Sequence, residues 1–179
     1  MQDLPYSLMV ELDKVAGKEN PPVHLWHPAN QQDIDMVIQQ DGTWLYQGTP
    51  IRRRRLVHLF GSVLRREGDD YYLVTPVEKC RITVEDAPFQ ALLMSVSGAD
   101  SAQWLQMTTD MGEEVIVDAE HPLRMTQQGD EWVPYVLVRD GMEARVSRNV
   151  YYQLADLMVE HEGVIGVWSG GTFFACMAL

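Results

Sequence analysis

Turn dipeptides built on glycine recur through most of this chain: Asp41-Gly42, Glu67-Gly68, Met111-Gly112, Gly129-Asp130, Asp140-Gly141, Glu162-Gly163 and Gly170-Gly171. Before the first of them Ile34, Met36 and Ile38 alternate with Asp33, Asp35 and Val37, and after it Trp44 and Tyr46 alternate with Thr43, Leu45 and Gln47. Asp-Gly between alternating segments marks a β-hairpin, because glycine accepts the positive φ that a tight turn needs. Frequent punctuation of this kind restricts a chain to short antiparallel strands. Further strands are expected over residues 71–75, 80–85, 90–96, 103–108, 114–117, 123–127, 132–139, 142–147, 164–168 and 172–175.

Three segments break the pattern with helical spacing. Leu8, Met9, Leu12 and Val15 suit a short docking helix or arm, ended by Gly17 and Asn20-Pro21-Pro22. Thr49 as N-cap and Pro50 at the first helical position predict a second helix. Its apolar stripe is Leu56, Val57, Phe60, Val63 and Leu64, and Arg65-Arg66 before Gly68 suit its C-terminal end. A third helix is expected over residues 148–160, striped by Val150, Tyr151, Leu154, Leu157 and Met158. The proline-bracketed segment from Pro21 to Pro28 reads as extended chain lying across another surface.

The two later helices share a setting. Asp41-Gly42, a strand, Thr49-Pro50, a helix, Glu67-Gly68 and a strand are followed a hundred residues on by Asp140-Gly141, a strand, Ser147-Arg148, a helix, Glu162-Gly163 and a strand. This self-similarity suggests an internal duplication, though two hairpin-and-helix units also arise by chance. The expected fold is α+β and mainly antiparallel, with the C-terminal half a small barrel or sandwich around one helix. An arm over 1–20, a hairpin-helix-strand domain over 21–82 and a β domain over 83–179 complete the layout.

Charge limits the partners. The chain carries 26 acidic and 14 basic residues, a formal charge of −12, which repels nucleic-acid backbones and anionic membranes at long range. Neither a nucleic-acid nor a membrane partner is expected. No apolar run reaches the roughly 20 residues of a membrane helix, and the N-terminal residues lack the basic and apolar regions of a secretory signal, so a cytoplasmic location is expected. Cys80 and Cys176 lack CxxC spacing and read as reduced core thiols.

Within that acidic background Arg52, Arg53, Arg54 and Arg55 fall at the start of the second helix, where a cation costs roughly 0.3–1 kcal/mol. They point to water, pair with acids such as Asp33, Asp35 or Glu78, or hold a bound anion, for which helix N-termini already present free N–H groups. Arg145 and Arg148 flank the third helix in the same way. His24 and His27 stand in the proline-bracketed stretch, where they do not share a face, so packing outweighs metal ligation and no metal is assigned. Asp33 and Asp35 share a strand face, better read as solvated or arginine-paired than as a divalent-ion site or an acid/base pair. The five tryptophans, Trp26, Trp44, Trp104, Trp132 and Trp168, are expected mostly in core or domain contacts. Ser169-Gly170-Gly171 reads as a plain hairpin loop, and Ser62 after Gly61 is not a nucleophile elbow. No catalytic motif stands out, and neither enzymatic activity nor a cofactor is expected.

Seven strings carry a resemblance: Pro21-Pro22-Val23-His24-Leu25-Trp26-His27-Pro28, Asp33-Ile34-Asp35-Met36, Asp41-Gly42-Thr43-Trp44, Tyr46-Gln47-Gly48-Thr49-Pro50-Ile51, Leu73-Val74-Thr75-Pro76-Val77-Glu78, Val84-Glu85-Asp86-Ala87-Pro88-Phe89 and Trp168-Ser169-Gly170-Gly171. In this order they resemble the bacterial domain-of-unknown-function family 1285, from about residue 21 onward. The chain departs from it at Val37, where the family tends to carry an arginine. The resemblance implies two domains with a duplicated motif, the C-terminal one pleckstrin-homology-like, and a ligand at the domain interface, nucleotide-based, with a role in signal transduction. The resulting expectation is a non-catalytic sensing module for a small anionic ligand. Its site would draw on Arg52, Arg53, Arg145 and Arg148, with walls from Thr75, Pro76, Glu78, Lys79, Glu85 and Asp86 and with Trp26 and His24 nearby. The alternative is a protein-interaction module without a small ligand.

Overall fold

The computed structural model describes residues 4–18 and 20–178. It divides into two compact units, and the chain passes from the first to the second between Asp86 and Ala87.

The first unit opens with α1 (Tyr6–Val15), whose Leu8, Leu12 and Val15 are buried at the expected helical spacing. Residues Val23–Leu25 wind into one 3-10 turn where extended chain was expected, with Leu25 N–H donating to Pro22 O and Trp26 N–H to Val23 O. The expected packing across a surface does occur: Arg65 Nη1 donates to the carbonyls of Val23 at 2.9 Å and Trp26 at 2.7 Å. Strand β1 (Asn30–Ile38) is followed by β2 (Trp44–Tyr46) and β3 (Thr49–Pro50). Thr49 and Pro50 therefore close a strand pair instead of opening a helix, because Gln47 and Gly48 both take positive φ and turn the chain back onto β2.

Helix α2 (Arg54–Ser62) begins four residues later and ends sooner than its sequence suggests. Arg65-Arg66 belong to β4 (Leu64–Glu67), which pairs with β5 (Asp70–Val74) across the Gly68-Asp69 turn. Strand β6 (Glu78–Val84) completes the sheet in the order β3-β2-β1-β6-β5-β4. The boundary expected after residue 82 thus lies inside β6. Pairing is antiparallel except between β1 and β6, which run parallel. Met36, Ile38, Trp44, Phe60, Leu64, Leu73 and Cys80 are buried, and Trp44 stacks on Phe60 with centroids 6.0 Å apart.

The second unit builds another six-stranded sheet, in the order β10-β11-β12-β7-β8-β9. Its strands are β7 (Phe89–Ser97), β8 (Trp104–Thr109), β9 (Glu114–Ile116), β10 (Leu123–Gln128), β11 (Glu131–Arg139) and β12 (Met142–Val146). The one parallel pair here is β12 with β7. Helix α3 (Arg148–Leu157) packs on β7. It is followed by a three-stranded sheet of β13 (Val159–His161), β14 (Val164–Ser169) and β15 (Thr172–Ala178). Glu162-Gly163, with φ of 52° and 78°, is the β13–β14 turn and not the end of the helix.

The protein is therefore α+β and mainly antiparallel, in two units with a shared plan. In each, a hairpin leads into a helix, a short strand, a two-residue turn and a returning strand. Of the tryptophans, only Trp44 is fully buried; Trp26, Trp132 and Trp168 are half-buried and Trp104 is exposed. No helix among the described residues is long and apolar enough to cross a membrane.

Candidate functional site

Three groups of side chains compete for attention. The first is the start of α2. Ile51 is buried and its N–H donates to Trp44 O at 2.8 Å, while Phe60 is buried at the other end of the helix. Between these anchors Arg52, Arg53, Arg54 and Arg55 are all exposed. Arg53 occupies the N-cap position, where its side chain supplies no cap and its carbonyl accepts from Leu56 and Val57. No acidic residue lies in the first turn.

The chain contains eleven arginines, and the other seven are engaged. Arg65 bonds to the two carbonyls above and to Glu67; Arg66 bonds to Gly68 O and Asp69. Arg81 grips Asp33 with two bonds of 3.1 and 2.8 Å, and Arg124 grips Glu143 with two of 2.6 Å. Arg139 pairs with Glu113 at 2.7 Å. Arg145 Nη1 donates to Gln128 Oε1 at 3.1 Å and Tyr135 OH at 3.2 Å, and the exposed Arg148 stands 3.5 Å from Glu131. Arg52, Arg53, Arg54 and Arg55 have no ion pair or side-chain hydrogen bond with any described residue. Asp33 is spoken for by Arg81, and Glu78 by Gln32, so neither neutralises them.

The second group is the expected wall around the β5–β6 turn, and it is mostly structural. Thr75 is fully buried; its hydroxyl donates to Glu78 O at 3.1 Å and accepts from Glu78 N–H at 3.2 Å, closing the turn, while Pro76 is exposed. Glu78 is 8% exposed, with Oε2 accepting from Gln32 at 2.7 Å and Oε1 buried without a hydrogen-bond partner among the described residues. Lys79 pairs with Glu67 at 2.6 Å and lies 4.5 Å from the Tyr72 ring centroid. That Lys79 bond, with help from Arg65 against the cost of burial, holds the Glu67 carboxyl below its ordinary range. Glu85 accepts from Gln40 N–H at 2.9 Å, Asp86 is half-buried, Trp26 is half-buried and His24 is exposed. Arg145 likewise serves its own sheet. Of the basic residues expected at the site, Arg52 and Arg53 alone have no partner among the described residues.

The third group was not singled out from the sequence. A cavity of about 540 Å³ opens in the second unit between the loop after β7 and the end of α3. Trp168, Val96, Leu157 and Val159 give it apolar walls, and Asp100 and Asp156 are the ionisable residues in its lining. Gln103, buried beneath, donates to Trp168 O at 2.9 Å. The residues come from three separate stretches of sequence, 96–103, 156–159 and Trp168, and the punctuation at Gly98-Ala99-Asp100 was the one local signal there.

The architecture defines a class: a two-unit α+β protein with a repeated hairpin-helix plan. Comparison with known families gives the particular assignment. The profile described as "Domain of unknown function (DUF1285), N-terminal domain" matches residues 21–87, and "Protein of unknown function (DUF1285), C-terminal domain" matches residues 88–176. The chain belongs to the DUF1285 family. Among solved structures it is similar to a DUF1285 family protein from Silicibacter pomeroyi DSS-3, with 46% identity and a TM-score of 0.91 over 96% of this chain and 95% of that one. It is also similar to one from Shewanella baltica OS155, with 29% identity and a TM-score of 0.53 over 68% of this chain and 90% of that one. No curated protein matches.

Proposed function

We propose that this protein is a non-catalytic ligand-sensing module whose small anionic, phosphate-bearing ligand is held at the start of α2 by Arg52, Arg53, Arg54 and Arg55. The observation that supports this reading is the unbalanced charge. Four cations stand together at the positive end of a helix, unpaired among the described residues, in a chain with a formal charge of −12. Every other arginine has a partner. Placing cations there opposes the helix dipole by roughly 0.3–1 kcal/mol each, a cost that an anion would offset through bidentate guanidinium contacts and the free N–H groups of the first turn. Nucleotides are the first class to examine, and a cytoplasmic signalling role fits a ligand of that kind.

A thermal-shift screen over nucleotides and phosphorylated metabolites tests it. A ligand at 100 times its Kd stabilises by about 2.7 kcal/mol, and the gain is expected to vanish in the Arg52→Ala, Arg53→Ala, Arg54→Ala, Arg55→Ala variant. These side chains are exposed, so the variant keeps the fold. No shift across the panel, or a shift that survives the four substitutions, would count decisively against the reading.

A second reading, a protein-interaction module, has its own observation. Cross-strand register puts Leu93, Trp104 and Ile116 on one face of β7-β8-β9, and they are 65%, 46% and 45% exposed. Leu105 and Met107, on the opposite face, are fully buried. Exposed apolar clusters of this kind are common at docking surfaces. Loss of self-association or partner capture in Leu93→Ser, Trp104→Ser, with the thermal-shift screen blank, would favour it.

A further inference from the structure

We infer that the cavity beside α3 is a binding site for a small organic cation, an amine or quaternary ammonium carrying apolar carbon. This is separate from the anion reading, since it lies wholly within the second unit. Its volume of about 540 Å³ is in the range of small-molecule sites, roughly 300–1,000 Å³. The lining gives both parts such a ligand needs: an indole and the aliphatic Val96, Leu157 and Val159 for the carbon, and two carboxylates for the charge.

The electrostatics all have one sign. Asp100 and Asp156 are exposed, and no described residue forms an ion pair with either. No lysine or arginine lines the cavity. Asp156 and Leu157 are the last residues of α3, whose final turn carries no basic residue, so the negative end of the helix faces the same space uncompensated. Trp168, whose ring also meets those of His161 and Phe173, is the aromatic residue in the lining, and an ammonium group seated over an indole is attracted to it. An anion would meet two carboxylates and a helix C-terminus, and a neutral ligand would leave the carboxylates unanswered. The chain's overall negative charge also draws cations toward it.

Titration of the whole chain with tetramethylammonium, choline and phenethylammonium chlorides at fixed ionic strength tests the inference. Each is compared with its neutral counterpart, 3,3-dimethylbutanol for choline and phenethyl alcohol for the amine, by calorimetry and ligand-observed NMR. At least one cation is expected to bind saturably, with its neutral counterpart weaker by roughly tenfold. Asp100→Asn with Asp156→Asn is expected to weaken the cation by a similar factor while leaving the melting temperature unchanged, and Trp168→Phe to weaken it less. Equal binding of the neutral counterpart, undiminished binding in the double Asn variant, or no saturable binding of any of the three cations would overturn the inference. The four-alanine variant at the start of α2 separates the two sites: it is expected to abolish the anion response and leave cation binding intact, and loss of cation binding there would refute the cavity assignment.

Discussion

Ser169 shows how much one hydroxyl can hold. It is fully buried at the end of β14, where Oγ accepts from Leu105 N–H at 2.9 Å and donates to Val117 O at 2.5 Å. Ser169→Ala would strand a donor and an acceptor inside the unit, and the expected loss is about 3 kcal/mol, from roughly 1–3 kcal/mol for each orphaned group. A lower urea midpoint at unchanged m-value checks it. The sequence revealed the hairpin at Ser169 but not this role, because both partners lie more than fifty residues away. The cysteines were easier to read, since lone cysteines without ligand spacing are usually core. Cys80 and Cys176 are both free and buried, and burial pushes each thiol up to about 11. Neither should react with a thiol reagent at pH 8 until the chain unfolds, and a burst of two equivalents from the native protein would contradict that. In the unfolded chain the thiols ionise near their ordinary value of 9.0, so this part of the stability is intact below pH 9 and is lost as pH rises from there toward 11.

The two later helices differ at their starts, and the difference separates stability from function. Ser147 caps α3 conventionally, its Oγ accepting from Val150 N–H at 3.4 Å, so Ser147→Ala should cost about 1 kcal/mol. Helix α2 has Arg53 in the same position, with no side-chain cap. Arg53→Ser is therefore expected to raise stability by about 1 kcal/mol, adding a cap and removing a misplaced cation. In the anion-binding reading the same change lowers the response to ligand. Chemical denaturation alongside the thermal-shift screen measures both, and a variant that is no more stable would show that the arginine is already compensated. That the helices exist was legible from their apolar stripes, and Ser147 marked the start of α3, but the capping signal at Thr49-Pro50 misplaced the start of α2 because those residues pair with β2. Helix ends were not: Arg65-Arg66 and Glu162-Gly163 look like C-terminal signals, but pairing of β4 with β5 and of β13 with β14 overrides local preference. Both misreadings fall at equivalent places in the two units, which is what a shared plan produces.

At the scale of the whole chain, antiparallel neighbours were visible through their turns, whereas the parallel pairs β1 with β6 and β12 with β7 join strands distant in sequence and leave no local mark. The cavity was hidden for the same reason, since Val96, Asp100, Asp156 and Trp168 converge only in the folded unit. Charge, by contrast, can be read directly and sets the response to acid. Three carboxylates sit below their ordinary values of 3.8 and 4.5: Asp41 mainly through the Thr43 N–H, Glu67 mainly through Lys79, and Asp118 because N–H bonds from His121 and Glu120 outweigh the opposing effect of burial. A depressed carboxylate stabilises the fold at pH above its unfolded value and loses that contribution as pH falls through the folded one. Between pH 7 and 5 these three change nothing, while protonation elsewhere relieves the self-repulsion of a chain with a formal charge of −12. Stability should therefore hold or rise slightly down to about pH 5 and fall below about pH 4.5. Urea midpoints across pH 3 to 7 at fixed salt would show this bend. In Asp41→Asn, Glu67→Gln, Asp118→Asn the midpoint at pH 7 should drop and the acid limb flatten, because those protons no longer distinguish the folded from the unfolded chain. An acid limb as steep in the triple variant as in the parent would assign acid sensitivity to other carboxylates.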